Sequence, residues 1–212
     1  MAKQILVMGL GTFGGQVARE LAALGHEVLG CDRDMAAVAA IAPDITSAVE
    51  LDATDVDALK SIGPAEFDMA VVALDRPTTI FTTMLLEQLG VRSITARAAT
   101  SLDEEILRRV GADRVVMPDR LMATWVARTI DLSGALDYIR LSERVAAVHL
   151  RVSTRAVGQT IRAVVSAQPG LGIVAVHRGD DVIVEPPPDT VLEQGDDLLV
   201  VGPEETFRTL GT

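Results

Sequence analysis

Short apolar runs alternate with amphipathic stretches through the first 133 residues of the chain. Runs such as ILVM (residues 5–8) and MAVV (residues 69–72) have the length of buried strands, and each is followed by a stretch with helical spacing. In the first of these stretches, Val17, Leu21 and Leu24 recur at i, i+4 and i+7 and share one helix face. The alternation predicts an α/β fold, a Rossmann-like doubly wound parallel sheet covered by helices on both faces.

Capping signals mark where several of these helices begin. The first helix is predicted over residues 14–24. Thr54 or Asp55 is expected to begin the third helix. Ser101 is expected to cap the fifth, with Glu104 three residues on as the second half of a capping box.

The pattern changes after residue 133. The lone helix DRLMATWVARTIDLSG (residues 119–134) ends at this point. Five short strands follow it, with two short helices around QTIRAVV and PEETFRTL among them. Turn sequences such as RGDD and EQGDD separate the strands. The sequence therefore predicts a larger α/β domain over residues 1–133 and a smaller α+β C-terminal domain over residues 134–212.

Charge and cysteine content restrict the partners and the compartment. Acidic residues outnumber basic ones, 30 to 19, and a formal net charge of −11 argues against nucleic acid or anionic lipid as the main partner. The single cysteine, Cys31, excludes a disulfide framework and favours a reducing, cytoplasmic compartment. No run reaches the roughly 18 uncharged apolar residues that a membrane span needs.

The first predicted strand ends in a glycine motif, Gly9-Leu10-Gly11-Thr12-Phe13-Gly14. A lone G-x-G-x-x-G is weak evidence, but this one ends a strand and opens a helix, as dinucleotide-binding loops do. Gly9 permits the tight turn, Gly11 lets a pyrophosphate approach the backbone, and Gly14 lets the helix pack closely on the strand. The helix N-terminus then supplies N–H groups to the phosphates. The alternative is a strand-to-helix turn without a ligand.

Asp32 ends the second predicted strand, 18 residues after Gly14. A carboxylate there accepts hydrogen bonds from both ribose hydroxyls and repels a 2′-phosphate, which favours NAD(H) or an adenosine nucleotide over NADP. Arg33 follows at once and weakens that preference. An incidental surface aspartate is the alternative.

Further strand ends are expected at the same edge of the sheet. Asp52 and Ala53 end the third strand and could flank an adenine, whereas Arg97 lies on the fifth. The fourth strand ends beside the phosphates with Ala73, Leu74, Asp75 and Arg76. Ordinary loop polarity is the alternative for each.

Candidate catalytic residues are sparse. None of the three histidines, His26, His149 and His177, has an acidic neighbour at a catalytic spacing, and Cys31 lies within a strand. No H-E-x-x-H, paired C-x-x-C or G-x-S-x-G motif is present. The site is therefore predicted to bind a nucleotide, with no catalytic residues and no enzyme activity.

Several segments resemble one family over nearly the whole chain. They are VMGLGTFGGQVARELAALGHEVLGCDRD, DATD, VVAL, ILRRVGADRVVMPDRLMA and DTVLEQGDDLLVVGPEE. On these motifs the chain resembles the cytoplasmic regulatory subunits of bacterial Trk/Ktr potassium-uptake systems, the KtrA/TrkA type, which are built from RCK domains.

This resemblance implies an N-terminal nucleotide-binding RCK domain, a crossover helix after VMPD, and a C-terminal ligand-binding and assembly domain. Dimers would assemble into an octameric ring on the inner face of the cell membrane. There the ring would contact a membrane-embedded K⁺ channel subunit of the TrkH/KtrB type. ATP or ADP, with NAD(H) as a further candidate, would bind at the glycine loop and change the shape of the ring.

The resemblance also implies which residues contact the nucleotide. Gly9, Gly11 and Gly14 would hold the phosphates, Asp32 the ribose and Asp52 and Ala53 the base, with Arg97 at a basic position on the phosphate side. The loop and the strand ends add Thr12, Phe13, Arg33, Ala73, Leu74 and Asp75 to the predicted contacts. Asp119 matches an acid that helps to hold Mg²⁺ or another cation near a γ-phosphate, with a helix N-cap as the alternative.

Two departures from the family pattern leave ligands open. ATP-responsive members often have an arginine where this chain has Thr12, so the preference between ATP and ADP is open, with Arg33 or Arg76 as substitutes. Some C-terminal domains of the family bind cyclic di-AMP. The segment from Val157 to Val176 matches that region, but the basic residue expected near Ser166 is absent.

The sequence as a whole predicts a nucleotide-sensing regulatory subunit of a potassium uptake channel. The alternatives are a small NAD-dependent oxidoreductase and a redox sensor for another cation transporter.

Overall fold

The computed structural model describes residues 2–207, and this part of the chain forms two compact units that divide between Asp119 and Arg120. The first unit is an α/β sandwich and the second is an α+β domain. No helix within the described range combines the length and the hydropathy that a membrane crossing requires.

Among the described residues of the first unit, parallel strands form a six-stranded sheet. They are β1 (Gln4–Met8), β2 (Glu27–Asp32), β3 (Ser47–Glu50), β4 (Met69–Val72), β5 (Ile94–Arg97) and β6 (Arg114–Val116). The connecting helices are α1 (Thr12–Ala23), α2 (Met35–Ile41), α3 (Val56–Ser61), α4 (Thr78–Gln88) and α5 (Ser101–Arg109). The strand order β3-β2-β1-β4-β5-β6 confirms the predicted doubly wound, Rossmann-like sheet.

The central strand β1 shows why helices cover both faces of this sheet. Ile5 and Val7 pack in an apolar cluster with residues of α1 and α2. Leu6 and Met8, which point the other way, pack in a second cluster with residues of α4 and α5. All four side chains are buried, so the strand is apolar from Ile5 to Met8, as parallel strands between two helical layers are.

Helix starts agree with the capping signals except at two places. The Asp55 side chain caps α3, as predicted. The cap of α5 is Thr100 and not Ser101, and its capping-box partner is Asp103 and not Glu104. Both bonds of the box form one residue earlier than predicted because Thr100 has the extended backbone that a cap requires. Helix α1 begins two residues before its predicted start, because Gly11 serves as its N-cap.

The second unit contains most of α6 (Pro118–Asp131), an antiparallel sheet and two short helices. Its strands are β7 (Ala135–Arg140), β8 (Val145–Arg151), β9 (Gly172–Arg178), β10 (Asp181–Val184) and β11 (Asp197–Pro203), in the order β10-β9-β11-β8-β7. Its short helices are α7 (Ile161–Ser166) and α8 (Glu204–Phe207). This arrangement confirms the predicted α+β class; residues 208–210 of the predicted last helix lie outside the described residues.

The division between the units lies earlier than the predicted boundary at 133–134. Most of α6 belongs to the second unit, because Trp125 packs against the apolar cluster of that unit and Leu132, directly after the helix, is buried within it. The sequence places the boundary after the helix, since the apolar stripe on α6 does not tell which core it joins.

In the second unit, an ion pair with a buried carboxylate links β9 to the turn before β11. Asp196 is 1% exposed, and its two carboxylate oxygens accept hydrogen bonds from Arg178 Nε (2.9 Å) and Nη2 (2.8 Å). The backbone N–H of Glu193 donates a further bond, 2.8 Å long, to Asp196. The bonds from Arg178, supported by that from Glu193, hold the pKa of Asp196 below its ordinary value.

We expect Asp196→Asn to lower the free energy of unfolding by about 2 kcal/mol at pH 7, because it removes the buried charged acceptor of Arg178 and leaves that guanidinium paired with the more exposed Glu193. A depressed pKa stabilises the fold above the unfolded-state pKa of about 3.9, and this contribution is lost as the pH falls through the folded-state value. The deficit of the variant should therefore shrink below about pH 4. Urea unfolding at several pH values measures it.

Asp189→Asn is the matched control. Asp189 pairs with Arg162 at 3.2 Å, but the two side chains are 81% and 62% exposed. Exposed pairs contribute little, so this variant should stay within about 0.5 kcal/mol of the wild type. Equal losses in the two variants would contradict the assignment of Asp196 as the anchoring carboxylate.

Candidate functional site

A crevice of about 750 Å³ opens at the carboxyl ends of the strands of the first unit, where the strand order reverses between β1 and β4. Ligands of doubly wound sheets bind at this switch point. The crevice is lined by Gly9, Gly11, Thr12, Phe13, Gln16, Asp32, Arg33, Leu51, Asp52, Ala53, Thr54, Ala73, Leu74, Asp75, Thr78, Arg97, Pro118 and Asp119.

The structure brings nearly all of the predicted site residues together around this crevice. The exception is Gly14, which is buried beneath the loop. Five lining residues were not predicted: Gln16, Leu51, Thr54, Thr78 and Pro118. Gln16 lies one helical turn after Thr12, and Thr78 is the first residue of α4, so helix periodicity and the helix start could have indicated both.

The three glycines of the loop differ in what surrounds them. Gly9 has φ +93°, and a Cβ there would lie 2.6 Å from the carbonyl oxygen of Ala73. A Cβ on Gly14 would lie 1.9 Å from the carbonyl oxygen of Gly9. Gly11, in contrast, would place a Cβ with no atom within 4 Å apart from those of its chain neighbours. Packing therefore requires Gly9 and Gly14, whereas Gly11 leaves open space at the start of α1.

That open space lies at an uncapped helix N-terminus. Gly11 is the N-cap of α1, no side chain bonds the cap, and the first turn contains no acidic residue. The backbone N–H groups of the first turn have no partner within the helix and lie at its positive end. A phosphate group fits this end of the crevice in charge and in hydrogen bonding.

The carboxylate of Asp32, at the end of β2, is held in place by two backbone N–H groups. Its Oδ2 accepts a hydrogen bond from Leu10 N (2.7 Å), and its Oδ1 accepts one from Asp34 N (2.9 Å). Each carboxylate oxygen retains capacity for a second bond. A carboxylate fixed in this way on the crevice wall can accept hydrogen bonds from a pair of vicinal hydroxyls.

The end of β3 is ordered by local hydrogen bonds. Asp52 Oδ1 accepts from Thr54 Oγ1 (2.7 Å) and Thr54 N (2.8 Å), and these bonds lower the pKa of Asp52, with a smaller effect of Arg33. The carbonyl oxygen of Ala53 accepts from the buried hydroxyl of Thr82 (3.0 Å). This wall of the crevice is therefore formed before a ligand arrives.

Arg97 is the basic group at the α6 side of the crevice. Its Nη2 lies 3.3 Å from Asp119 Oδ2, and its guanidinium carbon lies 5.8 Å from the centre of the Phe13 ring. Asp119 follows Pro118 inside the first turn of α6, so it is not the N-cap of that helix. Residues 2–207 contain no group of three or more His, Cys, Asp or Glu side chains suited to a metal ion.

Arg76 does not line the crevice, although the sequence made it a candidate substitute for an arginine at Thr12. Its Nε lies 2.7 Å from Oδ1 of Asp103, a carboxylate that is 3% exposed. The buried charge of Asp103 needs a cation, and Arg76 supplies it. Arg33, the other candidate substitute, does line the crevice.

The histidine and cysteine side chains of the described residues do not line the crevice. His26, His149 and His177 are absent from the crevice wall. Cys31 is buried, and this burial, with a smaller effect of Asp32, raises the pKa of the thiol to about 12. At neutral pH the thiol is therefore protonated and a poor nucleophile. The crevice offers carboxylates, hydroxyls, backbone N–H groups and two guanidinium groups.

Two family models match this chain. Residues 5–118 match the family model of the TrkA-N domain, and residues 145–211 match that of the TrkA-C domain. The Ktr system potassium uptake protein C of Bacillus subtilis (strain 168) is 38% identical over 205 residues, which cover 95% of this chain and 93% of that protein.

Solved structures with the same fold include the GsuK RCK domain, with a TM-score of 0.70 and 21% identity. A GsuK channel bound to NAD aligns with a TM-score of 0.68 and 19% identity. Each alignment covers 99% of this chain, but only 48% and 39% of the respective GsuK chains. At these identities the likeness shows the fold. The matched domains and the B. subtilis relative show more: the chain belongs to the family of Ktr and Trk potassium uptake proteins, with a TrkA-N domain followed by a TrkA-C domain.

Proposed function

We propose that the protein is a nucleotide-sensing regulatory subunit of a potassium uptake system, which binds an adenine nucleotide and releases it unchanged. One observation carries this proposal. In a chain of the Ktr and Trk family, an uncapped helix N-terminus and a fixed carboxylate face the same crevice at the switch point of the sheet. These are the groups that a nucleotide's phosphates and ribose require.

The ribose end of the crevice favours a nucleotide without a 2′-phosphate. Asp32 is fixed by two backbone N–H groups and would accept hydrogen bonds from the ribose hydroxyls. Its charge would repel a 2′-phosphate, and the neighbouring Arg33 only partly offsets this. The proposed ligands are therefore ADP, ATP and NAD(H), and a GsuK channel with the same fold, solved bound to NAD, supports the last of them.

The phosphate end limits how much negative charge the crevice accepts. Thr12 and the N–H groups after Gly11 would bind the phosphates, with Arg97 as the proposed basic partner. Across the whole crevice, however, the described wall contains four carboxylates (Asp32, Asp52, Asp75, Asp119) and two guanidinium groups (Arg33, Arg97). A triphosphate adds further negative charge, so we expect ATP to need a bound cation.

Asp119 is the proposed ligand of that cation, Mg²⁺ or another. Its carboxylate is well exposed and makes its only described ion pair with Arg97, at 3.3 Å. An exposed pair of this kind costs little to open. A phosphate that takes over Arg97 would leave Asp119 available to the cation.

Sensing requires that the nucleotide prefers one shape of the assembly to another. A ligand shifts an equilibrium only by its difference in affinity for the two states, a coupling of about 1–3 kcal/mol in typical allosteric proteins. We propose that dimers of this chain form an octameric ring at the inner face of the membrane. Its partner would be a TrkH/KtrB-type K⁺ channel subunit.

Cyclic di-AMP binding between Val157 and Val176 stays a prediction.

A glycine loop of this type also fits a small NAD-dependent oxidoreductase, or a redox sensor of another cation transporter. A hydride transfer to a carbonyl compound needs a proton donor near the nicotinamide. The histidines lie off the crevice wall and Cys31 is buried, so we favour binding without reaction.

Calorimetric titration of the full chain with ADP, ATP, NADH and NADPH tests the proposal. ADP and NADH should bind, and NADPH should bind more weakly. Asp32→Asn should weaken ADP and NADH about 10- to 100-fold, because hydrogen bonds to a charged acceptor contribute about 1.5–3 kcal/mol. Asp57→Asn, at an exposed helix position outside the crevice, is the matched control and should bind as the wild type does.

Two results would count against this function. One is a protein that binds none of the four nucleotides. The other is a steady fall in NADH absorbance with carbonyl compounds, which would support the oxidoreductase.

A pair of glycine variants separates binding from folding. Gly11→Ala should lose no more than about 1 kcal/mol of stability, the usual cost of alanine at an N-cap. Nucleotide affinity should nonetheless fall at least tenfold, because the methyl group occupies the space of the phosphate. Gly14→Ala should lose about 3 kcal/mol or more, since the methyl group would overlap with the Gly9 carbonyl.

Thermal unfolding and calorimetry on the two proteins check this contrast. If Gly11→Ala binds ADP as tightly as the wild type, the phosphates do not lie at the start of α1.

A further inference from the structure

Two of the chain's three histidines meet on the outer face of the second unit's sheet. His149 lies on β8 and His177 on β9, the two strands that flank β11. The centres of their rings are 5.4 Å apart, with the ring planes tilted by 56°. Val148 and Leu150, on either side of His149, are buried in the core, so the His149 ring points to the opposite face.

One nitrogen of this pair has no partner among the described residues. Nε2 of His149 is shielded from solvent and makes no hydrogen bond. A buried polar atom without a partner costs about 1–3 kcal/mol. A ligand that takes up the lone pair of this nitrogen would remove the cost, and neutral imidazole nitrogens are common ligands of transition metals.

The ring separation fits two imidazoles on one tetrahedral ion. With metal–nitrogen bonds of about 2.0–2.1 Å, each ring centre lies about 3.2 Å from the ion. The observed 5.4 Å then corresponds to a nitrogen–metal–nitrogen angle of about 115°. Adjacent ligands of a square-planar ion would bring the centres to about 4.5 Å. The spacing is therefore compatible with a tetrahedral ion of the Zn²⁺ type.

The neighbouring charges do not oppose a cation at this place. Asp197 on β11 is paired in register with His177, and Asp137 on β7 with His149. Arg151, the basic group on the same face of β8, is bonded through Nε to Asp197 at 3.0 Å, which offsets its charge. Asp137 accepts a hydrogen bond from the indole of Trp125 at 2.6 Å.

We propose that His149 and His177 bind one divalent transition-metal ion of the Zn²⁺ type, with the His149 ring turned so that Nε2 reaches the ion and with water at the remaining coordination positions. No third His, Cys, Asp or Glu of the described residues completes a metal-binding cluster with them. Two protein ligands make an open site, so the ion should exchange more readily than in a closed four-ligand site. The site lies in the second unit and does not rest on the proposed nucleotide function.

Zn²⁺ titration of the metal-free full chain at pH 7.5 tests this site. We expect one Zn²⁺ per chain. The affinity for Zn²⁺ should fall at least tenfold in His149→Gln and in His177→Gln, because the loss of a group that only orients a metal ligand already lowers metal affinity about 10- to 100-fold. His26→Gln, the third histidine, is the matched control and should bind as the wild type does.

Co²⁺ provides a second readout of the same site. A tetrahedral Co²⁺ site absorbs visible light much more strongly than a six-coordinate one, so the wild type should colour on titration and the His177→Gln variant should not. His177 is exposed and its replacement should leave the fold intact, which an unchanged thermal unfolding curve of the full chain would verify. The proposal is overturned if Zn²⁺ does not saturate at one ion per chain, if both variants bind as the wild type does, or if bound Co²⁺ is six-coordinate.

Discussion

Helix α1 lies so close to the end of β1 that one methyl group on Gly14 would overlap with the carbonyl oxygen of Gly9. This contact sets where the helix begins and therefore where its N-terminal N–H groups lie. Gly9 has to adopt a positive φ for the chain to turn so tightly. Because β1 and β4 are neighbours whose following loops diverge, the helix start opens into the crevice rather than into the core. The rest of the candidate site is arranged around this one approach.

The polar groups of the crevice are held by the protein before any ligand binds. Backbone N–H groups fix Asp32, Thr54 fixes Asp52, and Thr82 bonds the carbonyl of Ala53. Such fixation reduces the entropy lost on binding. The ion pair of Arg97 with Asp119 is the exposed exception. It is the part of the crevice most easily rearranged by a charged ligand, as a sensor of phosphate charge would need.

Local patterns in the sequence were sufficient to predict the fold class, the strands, the glycines of the loop and the place of Asp32 at the end of β2. They were insufficient where a tertiary contact decides. Arg76 turns away from the crevice because Asp103 is buried beside it, and burial is not visible in the sequence. Trp125 belongs to the second core for the same reason. The histidine pair depends on the order of strands in an antiparallel sheet, which spacing along the chain does not specify.

We propose that an intact adenine nucleotide in the crevice changes the shape of an assembly of this chain. Small-angle X-ray scattering of the full chain with and without saturating ADP measures this change, combined with mass determination and chromatographic recovery of the nucleotide. We expect a changed scattering profile at constant mass, with ADP recovered unaltered. An identical profile with the crevice saturated, or a consumed nucleotide, would contradict it.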